Sequence, residues 1–374
     1  MAVIINIMQL SIQTINVTNS SLIAKAIGEN DENKIKLISG NSVILTLIIS
    51  IITILIVLLI MPIFPAMFNV DKICNTYLLI RLFGFIQSSI VTVFSGQQRT
   101  LGNQENILGL RIFAVIANLI FDILVVKLGY GIVGVALVTI AIDTILSIYL
   151  IAKSKNSIKY KYNKSTIKNI LDLFKWNFIE RIVTRIDNFV FNILVSRMGE
   201  SEYAVHVILI QIKDIIGSFI QGFGDGITIS VGVASGREDV NYMNNVKQIS
   251  KKLINKASVI VPFATFIISV IIMKISLNKQ ELQTIFFNVL PILLLSIFIE
   301  MSATYYYSII RGIRDFKFLA KRNFISSLIK IVIATVLAYT PLGIIGVWIS
   351  FLIYCIFQNY MSKNRIKECY NKQI

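Results

Sequence analysis

An ionisable side chain in the hydrocarbon of a bilayer costs roughly 2.5–3.5 kcal/mol on insertion scales, so one that persists there needs a partner, a proton or a wet cavity. The chain carries several such residues inside long apolar runs. Asp122 follows Asn118 by four residues, which on a helix puts carboxylate and amide on one face a turn apart. Their oxygens suit a hard cation such as Na+, or a proton; the same pair would serve equally to hold helices together. Glu300 stands near the middle of another apolar run, eleven residues before Arg311. Lys330 lies in a third, and the two charges predict a Glu300–Lys330 ion pair that a proton or a cationic substrate would break. A static pair or a snorkelling lysine is the bland alternative. Between residues 173 and 198, Glu180, Thr184 and Asp187 form one stripe and Arg181, Arg185, Asn188 and Asn192 the next, together one polar face. That face must line a cavity or another polar helix. Substrate and proton contact, centred on Asp187 with Glu180 and Asn188, is the functional reading. Neutralisation of Glu180 by Arg181 and Arg185 is the structural one. Lys213 and Asp214, with Gln211 and Gln221, extend the surface, and His206 is expected to be packed rather than titrating. Tyr305, Tyr306 and Tyr307 suit either cation–π contact with aromatic cations or an interfacial belt.

These residues need helices to hold them. Of 374 residues 55% are hydrophobic and 15% charged, with a mean hydropathy of +0.75, which excludes an ordinary water-soluble domain. A bilayer core takes about 20 helical residues to cross, and Val43 to Ile60 alone contains no charge. The fold class is therefore an all-α polytopic membrane protein. Apolar runs and polar breaks predict eleven spans, at 2–27, 38–66, 76–98, 106–127, 131–152, 173–198, 202–235, 253–273, 283–310, 320–340 and 342–361. Gln9, Gln13, Asn16, Thr18, Asn19 and Ser20 interrupt the first, which reads as a polar-lined helix. It is not a signal peptide, because Met1 to Leu10 has no basic residue.

The net charge of +16 would fit a nucleic-acid partner if it were clustered, but its distribution argues otherwise. Alternate loops (25–36, 99–111, 153–175, 237–256, 311–322 and 363–374) hold 26 Lys and Arg, whereas the opposite set holds five: Lys72, Lys127, Arg197, Lys274 and Lys279. The positive-inside rule puts the first set, and the carboxyl terminus, in the cytoplasm of a multi-pass plasma-membrane protein. The charge is thus a topology signal attracted to anionic lipid, and no nucleic acid is expected. Residues 154–172 read as a cytoplasmic linker between an amino-terminal lobe (1–153) and a carboxyl-terminal lobe (173–361), with 362–374 a cytoplasmic tail. Three cysteines without a C-x-x-C spacing and a single histidine encode neither a disulfide framework nor a metal site.

The two lobes look duplicated. Arg99, Gly131 and Gly134 recur as Arg311, Gly343 and Gly346, each 212 residues later, and Ala24 to Gly28 recurs as Gly232 to Gly236 at an offset of 208. The same offset puts the counterpart of helix 173–198 before Met1. Five spans then face six, and the expectation is a twelve-helix protein that is truncated or has lost its first helix.

The motifs resemble those of the multidrug and toxic compound extrusion (MATE) family. Arg311-Gly312-Ile313-Arg314-Asp315-Phe316-Lys317 resembles its R-G-x-G-D-T-[KR] loop, Tyr203-Ala204-Val205-His206 its A-A-H-Q, and Gly222 to Gly226 its G-F-G-x-G/A run. Arg314 stands where glycine is usual, Arg99 to Glu105 is a degenerate first copy, and Asn177 replaces a common proline. The resemblance implies two pseudo-symmetric bundles, 6 + 6 helices in the family and 5 + 6 here. It implies that Asn118 and Asp122 belong to an amino-lobe cation site, with Thr139 near a threonine ligand. The first-helix aspartate of that site has no counterpart in this chain. Glu300 then matches a carboxyl-lobe coupling carboxylate. Under the repeat Ser88 corresponds to Glu300, Asn118 to Lys330 and Asp122 to Ala334, so the lobes differ chemically.

The implied function is export of small amphipathic, cationic compounds by antiport with Na+ or H+, in a monomer whose environment is the lipid bilayer and which needs no cofactor beyond that ion. Glu180, Asp187, Asn188, Asp214 and Lys330 would line the substrate cavity, and Asp122 is the one place for a bound Na+. One rival is a lipid-linked saccharide flippase, although such cavities tend to be strongly basic and here acids and bases are mixed. Another is a transport-incompetent remnant. A membrane enzyme fits least: there is no nucleophile elbow, and Gly222-x-Gly224-x-Gly226 lacks the strand context of a nucleotide loop.

Overall fold

The computed structural model describes residues 2–61 and 72–371. Residues 62–66 of the second predicted span and Lys372 of the tail lie outside these, as do the side chains of Lys72, Cys74 and Cys369. With no water to satisfy peptide groups in hydrocarbon, an apolar run must close its hydrogen bonds within a helix. The described residues accordingly form α1 (Ala2–Gly28), α2 (Glu32–Ile60), α3 (Lys72–Phe83), α4 (Phe85–Thr100), α5 (Gln104–Lys127), α6 (Gly131–Ser154), α7 (Lys164–Ser196), α8 (Glu200–Arg237), α9 (Val240–Ser276), α10 (Gln280–Gly312), α11 (Phe316–Ala338) and α12 (Gly343–Asn371). Among them seven are long and apolar enough to cross a membrane, and α3 with α4, bent by 43° at Gly84, makes an eighth span. The polar-interrupted α1, α7 and α11 cover the other three predicted spans, but they are not apolar enough to count as crossing helices by length and composition. In α1 half of the interruptions are buried, Asn16, Thr18 and Asn19, together with Thr14, whereas Gln9, Gln13 and Ser20 are half-buried. Outward faces are apolar, as on α5, where Phe113, Leu119 and Phe121 are exposed and suit lipid.

Helix starts differ from the expected ones because apolar content marks the part of a helix in lipid, whereas caps mark its ends. Asp31 accepts from Lys34 N at 2.9 Å, so α2 begins six residues before position 38. Asp239 accepts from the backbone of Asn241 and Tyr242 at 2.8 and 3.0 Å, so α9 begins thirteen residues before 253. Asn163 accepts from Thr166 N at 3.0 Å, and α7 begins at Lys164.

The chain divides into two compact units, residues 1–178 and 179–374, with the boundary inside α7. In unit 1 the segment before α7 is tied to α2: Lys159 N donates to Lys36 O, and Asn41 both donates to Lys161 O and accepts from Asn163 N at 2.9 Å. Its core packs Ile12 and Ile15 of α1 with Phe85, Phe94 and Leu146 of α4 and α6. In unit 2 the core is built from Leu209 and Ile216 of α8, Phe286 and Leu293 of α10, and Trp348 of α12.

Backbone geometry supports the repeat more closely than residue identity does. Left-handed residues recur at the same joints: Asn30 (φ 55°) and Glu238 (φ 56°) 208 residues apart, then Gly102 (φ 92°) with Arg314 (φ 69°), and Gly131 (φ 52°) with Gly343 (φ 50°), each 212 apart. Each joint precedes a helix start, and only the last pair keeps in both copies the glycine that such a φ favours. α1 thus corresponds to α8, α2 to α9, α3–α4 to α10, α5 to α11 and α6 to α12. Among the described residues α7 has no counterpart.

Candidate functional site

In unit 2, α7 carries its polar face inward. Glu180 and Asp187 are buried and Asn188 is half-buried, while Arg185 points outward. Two turns of helix apart, the two carboxylates meet different cations from α11. Lys330 Nζ lies 2.7 Å from Asp187 Oδ2, each side chain only 2% exposed. Arg322 Nη2 lies 3.9 Å from Glu180 Oε1. The predicted Glu300–Lys330 pair is therefore corrected: Lys330 answers Asp187. Position along a helix does not fix its rotation, and the rotation of α7 and α11 decides which acid the ammonium meets.

The Lys330 ammonium is also ringed by aromatic faces. It stands 4.5 Å from the ring centroid of Phe191, 5.3 Å from that of Tyr354 and 5.7 Å from that of Phe351. His206, fully buried, is packed against Phe191 and Trp348 at 5.3 and 5.7 Å, and neither ring nitrogen has a hydrogen-bond partner. Between the two acids Asn323 ties three helices together. Its amide donates to Glu180 O and Thr184 Oγ1, both at 2.9 Å, and its carbonyl accepts from Tyr354 Oη and Gln358 Nε2, both at 3.0 Å.

Towards the joint with Arg314, Arg311 reaches Asp225 of α8 at 3.2 Å. Tyr307 offers its face to Arg322 at 4.9 Å and to Arg311 at 5.8 Å, so this tyrosine engages the protein's own cations. Asp214, 66% exposed at its side chain, pairs with Lys213 at 3.0 Å, and Glu300 is half-buried within Coulomb range of both.

Unit 1 places Asn118 and Asp122 on α5, one turn apart and half-buried. The Oδ1 atoms of both are shut away from solvent and accept no hydrogen bond. Buried acceptors are rarely left without a donor, and two together on one stripe are the arrangement a proton or a cation would complete. Thr139 of α6 donates to Val135 O at 3.0 Å, and no hydrogen bond joins it to either residue. Asp143 lies in the same apolar helix and is not among the residues singled out from the sequence. It faces Ser88 of α4, with Arg81 and Arg111 close enough to feel its charge, and Arg111 Nη2 donates to Ser95 Oγ at 3.4 Å. The rule that singled out Asp122, an ionisable residue in an apolar run, would have found it. Among the described residues no group of three or more His, Cys, Asp or Glu could hold a metal ion.

Comparison with known proteins agrees with this architecture. A solved transporter of the MOP superfamily from Pyrococcus furiosus, described as having a binding pocket of reversed polarity, superposes with a TM-score of 0.87 at 20% identity, over 96% of this chain and 85% of its own. A mutant of the Vibrio cholerae MATE transporter VcmN gives 0.89 at 14% identity, over 98% and 87%. In sequence, the probable multidrug resistance protein NorM of Thermotoga maritima is 27% identical over 246 residues, which is 61% of this chain and about half (51%) of that relative's length. The MatE family model matches residues 2–124 and 178–336, which take in the greater part of both units. This chain is a multi-pass membrane protein and belongs to the MatE family of transporters.

Proposed function

We propose that this chain exports small amphipathic organic cations across the cell membrane by alternating access, in antiport with Na+ or H+. The single observation that carries the reading is the pair of donorless acceptors, Asn118 Oδ1 and Asp122 Oδ1, inside an apolar helix. A carboxylate that neither pairs nor hydrogen-bonds within the protein is stabilised by whatever positive charge can reach it, and a coupling ion is such a charge. Two side-chain oxygens form only part of the oxygen shell a metal cation prefers, so a proton and Na+ both fit the reading. Thr139 would add a hydroxyl, and Glu300 would act as the second coupling carboxylate. Glu180, Asp187, Asn188, Asp214 and Lys330 would form the substrate side in unit 2. The loops rich in Lys and Arg, and the carboxyl terminus, face the cytoplasm in this reading, and the monomer works in lipid alone, without nucleic acid or cofactor.

Ethidium accumulation in efflux-deficient cells tests it. Cells expressing the chain should retain less dye than empty cells, and Asp122→Asn should restore retention to the empty-cell level with the protein still in the membrane. Equal retention in all three would overturn the proposal. In proteoliposomes, an imposed Na+ gradient and an imposed pH gradient then identify the ion: the one that drives ethidium flux is the coupling ion.

A further inference from the structure

Neutralising Asp187 requires one cation at hydrogen-bonding distance, and Lys330 supplies it at 2.7 Å. The surroundings provide more than that. Phe191 of α7 and Phe351 and Tyr354 of α12 turn their rings to the same ammonium, at 4.5, 5.7 and 5.3 Å. One carboxylate and several aromatic faces are the chemistry that recognises alkylammonium ions: the rings attract the charge through their quadrupoles and the carboxylate cancels it. Lys330 reaches this cage on an unbranched, rotatable four-carbon stem, so its side chain has the form of a butylammonium ion tethered to α11.

A line of further charges connects the cage with the surface of unit 2. The Phe351 ring that faces Lys330 also lies 5.7 Å from the Lys213 ammonium. Lys213 is 21% exposed and paired with the largely exposed Asp214, and Glu300 senses both. The acids Asp214, Glu300 and Asp187 thus run from exposed through half-buried to buried, and the Phe351 ring is shared by the Lys213 and Lys330 ammonium groups.

We propose that Asp187, Phe191, Phe351 and Tyr354 form an organic-ammonium site whose resting occupant is the chain's own Lys330, and that a cationic substrate binds in unit 2 by exchanging with that ammonium. The inference rests on the export reading for its substrate class. It adds the place and the manner of binding: exchange leaves Asp187 neutralised whichever cation is present.

The test reads binding, not transport. Trp348 lies 5.9 Å from Phe351 and 6.0 Å from Phe191, and the chain has one other tryptophan, so Trp176→Phe makes Trp348 the sole indole reporter. In that background the purified full chain is titrated with n-butylammonium. Adding Lys330→Ala should produce a saturable change in Trp348 emission at about tenfold lower concentration than in the Lys330 parent, and adding Asp187→Asn as well should abolish it. A folded Lys330→Ala chain with no response, or one equal to the parent's, overturns the proposal.

Should Lys330→Ala fail to fold, the unaltered chain provides the second measurement. Acylation of Lys330 by an amine reagent, read by mass spectrometry, should rise severalfold with tetramethylammonium. A rate independent of that cation overturns the exchange. A chain that passes these tests yet leaves ethidium accumulation unchanged would refute export and spare the cage; the opposite pair of results would refute the cage and spare export.

Discussion

Removing one partner of the Asp187–Lys330 pair is expected to cost far more than removing both, and the two single losses should be unequal. Breaking a buried ion pair typically costs about 3–5 kcal/mol, because a bare charge is left in a poor solvent. Both side chains are 2% exposed, so water offers little screening. In Asp187→Asn the orphaned ammonium still faces three rings. Each ring contributes on the order of 0.5–1 kcal/mol, more when desolvated, and the expected net cost falls to about 2–3 kcal/mol. In Lys330→Met the orphan is a carboxylate, which aromatic faces cannot stabilise as they do an ammonium, and the cost stays at about 4–5 kcal/mol. The double variant, with a neutral amide against a thioether of similar volume to the lysine stem, should lie within about 1–2 kcal/mol of the parent. Unfolding of the full chain in the Trp176→Phe background, in mixed micelles by rising SDS fraction and followed by Trp348 emission, gives the four stabilities and their coupling. Costs that simply add in the double variant, or a Lys330→Met chain no less stable than Asp187→Asn, would refute the reasoning.

Other perturbations follow from local geometry. Gly343→Ala meets no neighbouring atom yet must hold φ near +50°, so it should lower stability by about 1 kcal/mol from backbone strain alone, as should Gly131→Ala. Measured melting shifts of similar size in the two halves check this. Asp315 both caps α11 through Phe318 N at 3.2 Å and accepts from Arg365 at 2.7 and 2.9 Å. Asp315→Ala should therefore cost about 1–2 kcal/mol, and Arg365→Ala, which leaves the cap, less than about 1 kcal/mol; equal losses would show that the cap does not matter. At the α1–α2 turn, burial pushes the Glu29 carboxyl up, but hydrogen bonding to Lys34 and the charges of Lys34 and Lys25 outweigh it and hold the group below its usual 4.5. A lowered acid stabilises the fold above its unfolded pKa, and the contribution is lost as pH falls through the folded value. Protection from amide exchange at residues 28–34, taken relative to the intrinsic rate at each pH, should fall on acidification below about pH 4.5, and Glu29→Gln should remove that step.

Much of this molecule is legible in its sequence because hydrocarbon is a strict solvent. Hydropathy marks eight of the eleven predicted spans as crossing helices, and the spacing of Arg99, Gly131 and Gly134 against Arg311, Gly343 and Gly346 exposes the duplication, which the matching left-handed joints support. Asn118 and Asp122 could be associated because both sit on one helix, where spacing alone fixes the shared face. Pairing between helices is another matter. Whether Lys330 meets Glu300 or Asp187 depends on how α7, α10 and α11 are rotated, which no one-dimensional pattern records. The aromatic cage was invisible for a related reason: Phe191, Phe351 and Tyr354 are three of 23 Phe and 14 Tyr, and only packing distinguishes them from lipid-facing rings. Asp143 carries the same signal in the sequence as Asp122, an acid inside an apolar run.

The ion pair between α7 and α11 also has a bearing on biosynthesis. Asp187 leaves the ribosome 143 residues ahead of Lys330, an interval of about 7–30 s at roughly 5–20 residues per second. During that delay α7 carries an unmatched carboxylate into the bilayer, so its final seating must follow the arrival of α11. An arrested nascent chain ending before residue 330 should leave α7 beside the translocon, where cross-linking would detect it. Moving the lysine earlier in the chain would shorten the wait.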